Sequence, residues 1–289
     1  MATIAVAGAA GRVGRAVAEQ LLDEGASVAL LVRDAAKVAD LAARGAVVHE
    51  GDLQDPPYVM EATDDAGQLF WMTPTDPAHD DLLDFMDDLG VNASAAVARN
   101  SIERVVNLSS FGAHIPTAAG PVEGLHDNEE RLDEFEENIV HLRPGFFMDN
   151  YLGQLDSIRA GRVRFPLVDG SVSLPMVATR DIARAAAQLL LHPEWSGHHI
   201  LGLHGPRDLT FDEAAEILGV VHEPVPAKEA REELLAGGAS EDGARLVLSF
   251  FAALAEGSLA SGEERTGRTT TPTSFEQFAE ETLRPLLDP

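Results

Sequence analysis

The chain has 289 residues, 45% of them apolar, which is enough for one large α/β domain and a smaller second lobe. Its formal net charge of −27 argues against nucleic-acid backbones and anionic membranes as partners, since both select basic surfaces. The absence of cysteine excludes disulfides, thiolate metal ligands and a cysteine nucleophile. The chain starts with an apolar strand pattern rather than a signal peptide, and it has no run of ~18 apolar residues, so we expect a cytoplasmic protein. The sequence permits an oligomer without indicating one.

Short apolar runs alternate with stretches of helical periodicity through the first half of the chain. The predicted strands are 3–8, 27–33, 46–50, 68–73, 104–109 and 139–143. The predicted helices are 12–24, 35–44, 56–65, 79–98 and 124–137. The strands are almost continuously apolar, as expected where helices cover both faces of a parallel sheet. The alternation therefore predicts an α/β fold with a Rossmann-type, doubly wound parallel sheet.

The pattern changes after about residue 150. The elements predicted there are a helix over 179–191, a strand over 199–203 and a mostly helical stretch over 211–287. Residues 210–213 and 274–277 both fit the capping box, in which a hydroxyl and an acidic or amide side chain satisfy free N–H groups at a helix start. This half of the chain is therefore predicted to be a smaller, mostly helical C-terminal lobe.

Three glycines follow the first predicted strand at the spacing G-x-x-G-x-x-G. Gly8, Gly11 and Gly14 leave that strand and open an amphipathic helix. In a dinucleotide site one glycine permits the tight turn, one lets backbone N–H groups approach a pyrophosphate, and one lets the helix pack on the strand. The start of the helix adds a partial positive charge. The motif therefore predicts nucleotide binding rather than a purely structural turn.

The end of the second predicted strand indicates which nucleotide binds. NAD sites often place an acidic residue there to hold the ribose 2′-hydroxyl, whereas this chain has Arg33, with Lys37 close behind. A guanidinium can pair bidentately with a 2′-phosphate. The alternative is a surface arginine paired with Asp34. We expect NADP(H) as the cofactor and NAD(H) as the less favoured one.

With these residues in place, the chain resembles the NmrA-like branch of the atypical short-chain dehydrogenase/reductases. The matching segments are GDL at 51–53, VVNLSS at 105–110, LRPGFFMDN at 142–150, TRDIA at 179–183 and TPTSFEQF at 271–278. The resemblance implies that the cofactor is held by residues of five loops. These are Gly8, Ala10, Gly11, Arg12, Val13 and Gly14 at the pyrophosphate, Arg33 and Lys37 at the 2′-phosphate, Asp52 and Leu53 beside adenine, Thr73 and Pro74 along the ribose, and Pro144, Gly145 and Phe146 bordering the nicotinamide.

The chain departs from the catalytically typical members of that superfamily, which carry a Tyr-x-x-x-Lys pair as proton donor. Its two tyrosines, Tyr58 and Tyr151, have no lysine four residues further on. His126 and Glu130 occupy the matching places in the predicted helix. Reduction assisted by a Tyr/Lys pair is therefore not expected. Atypical relatives include quinone reductases and nucleotide-sensing regulators.

Three residues are candidates for catalysis near the nicotinamide. His126 could donate a proton, because imidazole titrates near neutral pH, or it could form a solvated pair with Glu130. The helical pattern places His126 away from a buried stripe that includes Leu132 and Phe135. Ser109 and Ser110 end the fifth predicted strand, where they could bind a substrate oxygen or merely cap the strand. No metal site is expected.

Two functions fit these residues. We expect an NADPH-dependent oxidoreductase that transfers hydride to a quinone or another conjugated carbonyl compound. The alternative is a non-catalytic NADP(H)-binding regulator that senses redox state and acts through protein partners. For either function we predict an NAD(P)-binding domain over 1–150, to which 176–204 also contributes, and a substrate-binding or lid lobe over 151–289.

Overall fold

The computed structural model describes residues 2–117 and 119–287. Its strands are β1 (Thr3–Ala7), β2 (Val28–Val32), β3 (Val47–Glu50), β4 (Ala66–Met72), β5 (Arg104–Leu108), β6 (Asn138–Pro144), β7 (Phe146–Phe147), β8 (Arg162–Pro166), β9 (Ser173–Val177), β10 (Gly197–Leu203), β11 (Asp208–Thr210) and β12 (Val221–Val225). Seven of them form a central sheet in the order β10-β6-β5-β4-β1-β2-β3, with every neighbouring pair parallel. The order turns back between β1 and β4, which is the doubly wound topology predicted from the alternating pattern.

Helices cover both faces of this sheet and build the rest of the molecule. They are α1 (Arg12–Asp23), α2 (Ala39–Ala43), α3 (Pro56–Ala62), α4 (Leu82–Asn100), α5 (Pro121–Asp133), α6 (Leu155–Arg159), α7 (Thr179–Leu191), α8 (Phe211–Leu218), α9 (Ala227–Ala236), α10 (Glu241–Glu256), α11 (Phe275–Phe278) and α12 (Arg284–Leu287). The buried side chains of α1 and α7 pack on one face of the sheet, and those of α3, α4 and α5 pack on the other. Within the described residues, no helix is both long enough and apolar enough to span a membrane.

The smaller lobe has its own apolar core. It contains a three-stranded sheet, β11-β9-β7, a two-stranded sheet, β12-β8, and most of the helices after β6. At its centre the Phe146 ring meets Phe165 and Phe211 edge to face, and the Tyr151 ring packs on Phe165 and Phe275. Strand β10 belongs to the central sheet, however, and α7 packs on α1. We therefore propose that 1–150 and 176–204 act as one unit for cofactor binding.

The C-terminal half contains more strand than the sequence predicted. The stretch 211–287 includes β12, which pairs in parallel with β8, and irregular chain leads from α10 to α11. Strands of three to five residues carry too short a pattern to be separated from loops, and their pairing partners lie far along the chain. The capping box at 210–213 is confirmed in full. At 274–277 the Ser274 hydroxyl caps the helix by accepting the amide of Gln277.

Helix α5 differs from its predicted bounds of 124–137. It starts at Pro121, whose missing N–H costs nothing in the first turn, and it ends at Asp133. The chain then has to become extended by Asn138 to pair with β5 and β10. Phe135 therefore lies beyond the helix and is 51% exposed, whereas Leu132 is buried as predicted.

A buried ion network fastens the smaller lobe to the central sheet. Arg143 on β6 donates from Nε and Nη2 to the two carboxylate oxygens of Glu129 on α5, at 3.0 and 2.5 Å. Its Nη1 donates to Glu263 at 2.9 Å. The side chains of Arg143, Glu129 and Glu263 are only 10%, 5% and 13% exposed. Because Glu263 lies in the irregular chain between α10 and α11, this network ties that chain to β6 and α5.

We expect Arg143→Met to lower the free energy of unfolding by about 3–5 kcal/mol, because it leaves two buried carboxylates without a counter-charge. Arg164→Met is the matched control: Arg164 pairs with Glu223, Glu229 and Glu233, whose side chains are about half exposed. Exposed pairs are worth little, so the control should lose about 1 kcal/mol or less. Urea unfolding followed by circular dichroism measures both. Equal losses in the two variants would show that the Arg143 network does not hold the lobes together.

Candidate cofactor and active site

The turn after β1 is shaped for close approach of an anion. Gly8 has a φ of +68°, in the left-handed region that favours glycine. Gly14 packs against the backbone of Gly8 so closely that a Cβ would overlap it, whereas a Cβ on Gly11 would lie 3.2 Å from the Gly8 oxygen. Helix α1 follows, and none of the described side chains caps its first N–H groups; its first turn contains no acidic residue. These N–H groups are therefore left to bind an anion such as a phosphate.

A cavity of about 390 Å³ opens beside this turn, at the carboxyl ends of β1, β2, β3 and β4. Its wall contains eight of the residues predicted for the cofactor: Gly8, Ala10, Gly11, Arg33, Lys37, Asp52, Leu53 and Pro74. Arg12, Val13 and Gly14 lie next to it in the first turn of α1. The structure thus brings the predicted pyrophosphate, 2′-phosphate and adenine residues together around one cavity.

Two cations at the end of β2 have no protein partner in the described part of the chain. The side chains of Arg33 and Lys37 are exposed and line the cavity. Asp34, which could have paired with Arg33, instead accepts the amide of Ala36 at 3.0 Å and caps the short turn that follows. The positive charges of Arg33 and Lys37 are therefore available to a ligand.

The carboxyl ends of β4 and β5 carry buried hydroxyl groups. The Thr73 hydroxyl accepts hydrogen bonds from the indole of Trp71 at 3.0 Å and from the amide of Asn128 on α5 at 3.2 Å. The Ser109 hydroxyl is buried without a partner among the described residues, and Ser110 next to it is partly exposed. A buried hydroxyl without a partner is costly, so Ser109 is a ready donor for a ligand placed at this edge.

The segment after β6 is predicted to border the nicotinamide. The Pro144 carbonyl accepts the amide of Phe111 at 3.0 Å, and the Gly145 amide donates to the Leu203 carbonyl at 2.9 Å. Phe146 is only 3% exposed, with its ring in the core of the smaller lobe. The backbone of this segment, rather than the Phe146 ring, is therefore the part that can face a nicotinamide. From α1, the Arg12 guanidinium donates to the Asp149 carbonyl at 3.2 Å and joins the segment to the glycine turn.

The protein backbone holds the His126 ring, so His126 is more than one half of a solvated pair with Glu130. Its side chain is 12% exposed, and its Nδ1 lies 2.8 Å from the Ala113 carbonyl oxygen. Because a carbonyl can only accept, Nδ1 carries the hydrogen, and the neutral ring presents Nε2 as a proton acceptor. Nε2 lies 3.5 Å from the carboxylate of Glu130, which is itself mostly exposed. Glu130 can therefore balance the charge that His126 gains when Nε2 is protonated.

The two tyrosines have structural roles, as the missing Tyr-x-x-x-Lys pair suggested. The Tyr58 hydroxyl donates to the His49 carbonyl at 2.7 Å and accepts the Val32 amide at 3.2 Å. Burial raises the pKa of Tyr58 to about 12. Burial also raises the pKa of Tyr151, whose hydroxyl lies in the aromatic core without a partner among the described residues. Neither phenol is suited to give up a proton near neutral pH.

Several residues of the cavity wall were not predicted from the sequence. They come from the last residue of β4, from the loops after β3 and β4, and from α4: Met72, Gln54, Asp76, His79, Phe85 and Leu89. The helical pattern placed His79 inside a helix, but α4 starts at Leu82, with the Asp81 side chain as its cap. The signal in the sequence that His79 belongs to a loop was Asp81, because aspartate commonly caps the start of a helix.

Comparisons with known proteins show which family the chain belongs to. Residues 8–193 match the sequence model of a family described as NAD(P)H-binding. The chain belongs to this NAD(P)H-binding family. It is 30% identical over 220 residues to the NAD(P)H azoreductase of Xenophilus azovorans, covering 74% of this chain and 72% of that protein. It is 29% identical over 231 residues to a (4-alkanoyl-5-oxo-2,5-dihydrofuran-3-yl)methyl phosphate reductase of Streptomyces griseus, covering 78% and 76%.

Solved structures show the same fold at lower identity. The triphenylmethane reductase of Citrobacter sp., complexed with NADP(H), superposes with a TM-score of 0.77 at 21% identity, covering 96% of this chain and 99% of that one. The NADPH-dependent quinone oxidoreductase QOR2 from Escherichia coli, complexed with NADPH, has a TM-score of 0.75 at 21% identity, covering 96% and 98%. The predicted family resemblance and Rossmann-type fold are thus confirmed.

We expect NADPH to bind at least about tenfold tighter than NADH, because a charge-assisted contact to the 2′-phosphate is worth about 1.5–3 kcal/mol. Arg33→Ala should remove most of this difference, and high salt should narrow it, since the contact is exposed. Calorimetric titration of both cofactors measures the ratio. Arg44→Ala is the matched control, because Arg44 is a surface arginine paired with Asp23 and outside the cavity wall. Equal affinity of the wild type for NADPH and NADH would show that Arg33 does not contact a phosphate.

Proposed function

We propose that this chain is an NADPH-dependent reductase that passes hydride to a quinone or another conjugated small molecule. The observation that carries the proposal is that Arg33 and Lys37, two cations without a partner among residues 2–117 and 119–287, share one cavity with the uncapped start of α1. On a chain with a net charge of −27, two free cations at this point serve an anionic ligand. The glycine turn and the two cations match the pyrophosphate and the 2′-phosphate of NADPH.

The names of the relatives support reduction of conjugated acceptors. Azo compounds, triphenylmethane dyes and quinones are chemically different, but each has an extended, electron-poor π system that accepts a hydride. Such acceptors need little activation by a protein acid. This suits a chain without the Tyr-x-x-x-Lys pair. The redox-sensing regulator left open by the sequence gains no support from the relatives described above, each of which is named as a reductase or oxidoreductase.

Two residues that the sequence predicts to lie near the nicotinamide, His126 and Ser109, have defined tasks in this proposal. Bound NADPH supplies a hydride, which carries two electrons and one proton to the acceptor. His126, once protonated at Nε2, supplies the second proton that a quinone or azo acceptor needs, and solvent then protonates Nε2 again. The Ala113 carbonyl keeps the ring in one orientation, and the Glu130 carboxylate stabilises the protonated ring. Ser109 donates its hydroxyl, which has no partner in the described part of the chain, to the acceptor oxygen or nitrogen.

We further propose that the acceptor binds in a second cavity, of about 610 Å³, between the irregular chain after α10, strand β9 and the turn after β10. Its wall includes Phe111 and Pro175, which contact the backbone of Pro144 and Gly145. The cavity therefore adjoins the segment that is predicted to border the nicotinamide. Phe111, Leu174, Leu254 and Leu259 supply apolar surface for a flat aromatic compound.

His204, Asp208 and Arg265 supply polar groups at the same cavity. Burial and the neighbouring Arg265 lower the pKa of His204, so this imidazole is neutral at pH 7. Its Nε2 lies 2.9 Å from the Ser261 hydroxyl, and Arg265 pairs with Asp208. Most of the polar groups in the wall are thus already satisfied by the protein.

NADPH oxidation is expected with simple benzoquinones, naphthoquinones and azo dyes, measured by the loss of NADPH absorbance. His126→Ala should slow the turnover of these acceptors by roughly 10- to 10⁴-fold if His126 is the proton donor. His192→Ala, at an exposed histidine outside both cavities, should not change the rate. A screen of quinones, enones and azo dyes without oxidation above background would favour the regulator. Full activity in His126→Ala would keep the reductase and discard this histidine.

The position of the acceptor is tested by filling the second cavity from its rim. Ala255 is exposed on α10 and lines this cavity, so a larger side chain there occupies the opening without disturbing the core. Ala255→Trp should raise the KM for the quinone several-fold and leave the affinity for NADPH unchanged. The control is Ala98→Trp, at an exposed alanine of α4 outside both cavities. An unchanged KM for the quinone in Ala255→Trp would place the acceptor elsewhere.

A further inference from the structure

The cavity beside the glycine turn, lined by Gly8, Arg33 and Lys37, is called the cofactor cavity below. One of its walls is a stack of two aromatic side chains. The rings of His79 and Phe85 lie 3.7 Å apart, with 12° between their planes, and both line the cavity. Phe85 is only 8% exposed and is the inner ring, whereas His79 is partly exposed and is the outer ring. Leu53 and Leu89 line the cavity as well. This part of the wall is therefore apolar and flat, in contrast to the charged part that contains Arg33 and Lys37.

His79 has free surface to offer a ligand. Within residues 2–117 and 119–287, its imidazole nitrogens make no hydrogen bond and no aromatic ring other than Phe85 stacks on it. An aromatic ring with a free face at a cavity favours a second flat ring, and stacking of this kind binds nucleobases without regard to sequence. Adenine is the flat, neutral ring that the cofactor brings to this end of the cavity.

The position of His79 is set by the smaller lobe. The Ser240 hydroxyl, at the start of α10, donates to the His79 carbonyl at 2.5 Å, and the Ser240 amide donates to the Pro77 carbonyl at 2.8 Å. Gly243 packs so closely on the same Pro77 carbonyl that a Cβ would overlap it. Asp76 closes the turn by accepting the amide of Ala78 at 3.1 Å. A turn whose backbone is held in this way loses little freedom when a ligand binds, which favours affinity.

The charges around His79 favour a neutral ring over a phosphate at this spot. The groups that face the cavity with it are Arg33, Asp34 and Lys37 after β2, Asp52 after β3, and Asp76 in its own turn. From α10, Asp242 accepts the amide of Leu82 close to the same turn. The carboxylate of Asp76 lies three residues before His79. A phosphate beside it would be repelled, whereas a base would not.

We propose that His79 is an adenine-binding residue, whose ring stacks on the base of the cofactor and is backed by Phe85. This inference rests on the proposed function for the presence of the dinucleotide, but it assigns a binding role to a residue outside the glycine turn and the strand ends. It also makes α10 of the smaller lobe a positioning element for the cofactor, because Ser240 and Gly243 hold the turn that presents His79.

Calorimetric titration with ADP, NADH and NADPH tests this role, since all three contain adenine and only NADPH carries a 2′-phosphate. His79→Ala should weaken all three ligands by the same factor, roughly 5- to 150-fold, the range measured for base stacking. The NADPH-to-NADH affinity ratio should stay as in the wild type, whereas Arg33→Ala changes that ratio. His79→Phe restores an aromatic face without ring nitrogens and should recover most of the affinity.

Two controls separate a specific loss of binding from a general effect of mutation or unfolding. His192→Ala, outside the cavity, should bind all three ligands as the wild type does, and thermal melts followed by circular dichroism report whether each variant is folded. Loss of NADPH affinity alone in folded His79→Ala would mean a phosphate contact and would overturn the proposal. Wild-type affinity for ADP in His79→Ala would overturn it too. If the wild-type chain binds neither ADP nor NADPH, the proposed function fails together with this inference.

Discussion

All seven strands of the central sheet run parallel, so their carboxyl ends meet at one edge. The order β4-β1-β2-β3 puts four of these ends side by side, and the chain reverses its direction of winding between β1 and β4. A crevice at such a reversal is where open α/β sheets bind ligands. Gly8, Arg33, Asp52 and Pro74 each follow a different one of these four strands, yet they share one cavity. Their chemistry is therefore combined by the sheet, although the residues lie up to 66 positions apart.

The smaller lobe takes part in this arrangement through α10 and the chain that follows it. The start of this helix holds the turn of His79 at the cavity beside the glycine turn, and its last turn, at Leu254, lines the second cavity. A helix of 16 residues is about 24 Å long, so a single rigid element reaches both places. Beyond it, Glu263 joins the buried network of Arg143. The lobe is thus tied to the Rossmann-type part by polar contacts as well as by apolar packing.

Local patterns were enough to predict those residues of the cavity wall that depend on short stretches of chain. The glycine turn requires one strand, three glycines and one helix start, all within the first 23 residues. Arg33 was identifiable because the end of a parallel strand is a defined place in a Rossmann-type fold. The hydrogen-bond partners of the candidate residues could not be predicted in the same way. That Asp34 caps a turn instead of pairing with Arg33, and that His126 is held by the Ala113 carbonyl, depend on backbone geometry that a pattern of residue types does not contain.

The sequence by itself determined the class of fold, the course of the first six strands, the nucleotide turn and the charge at the end of β2, because each follows from the periodicity or the residue types of a continuous segment. Only the tertiary structure decided the parallel pairing of β8 with β12, the place of Phe146 in the core of the smaller lobe and the stack of His79 on Phe85. The hydrogen bond that holds His79 joins residues 161 positions apart. Contacts of this kind are selected by how whole elements pack, and no local window of the sequence carries that information.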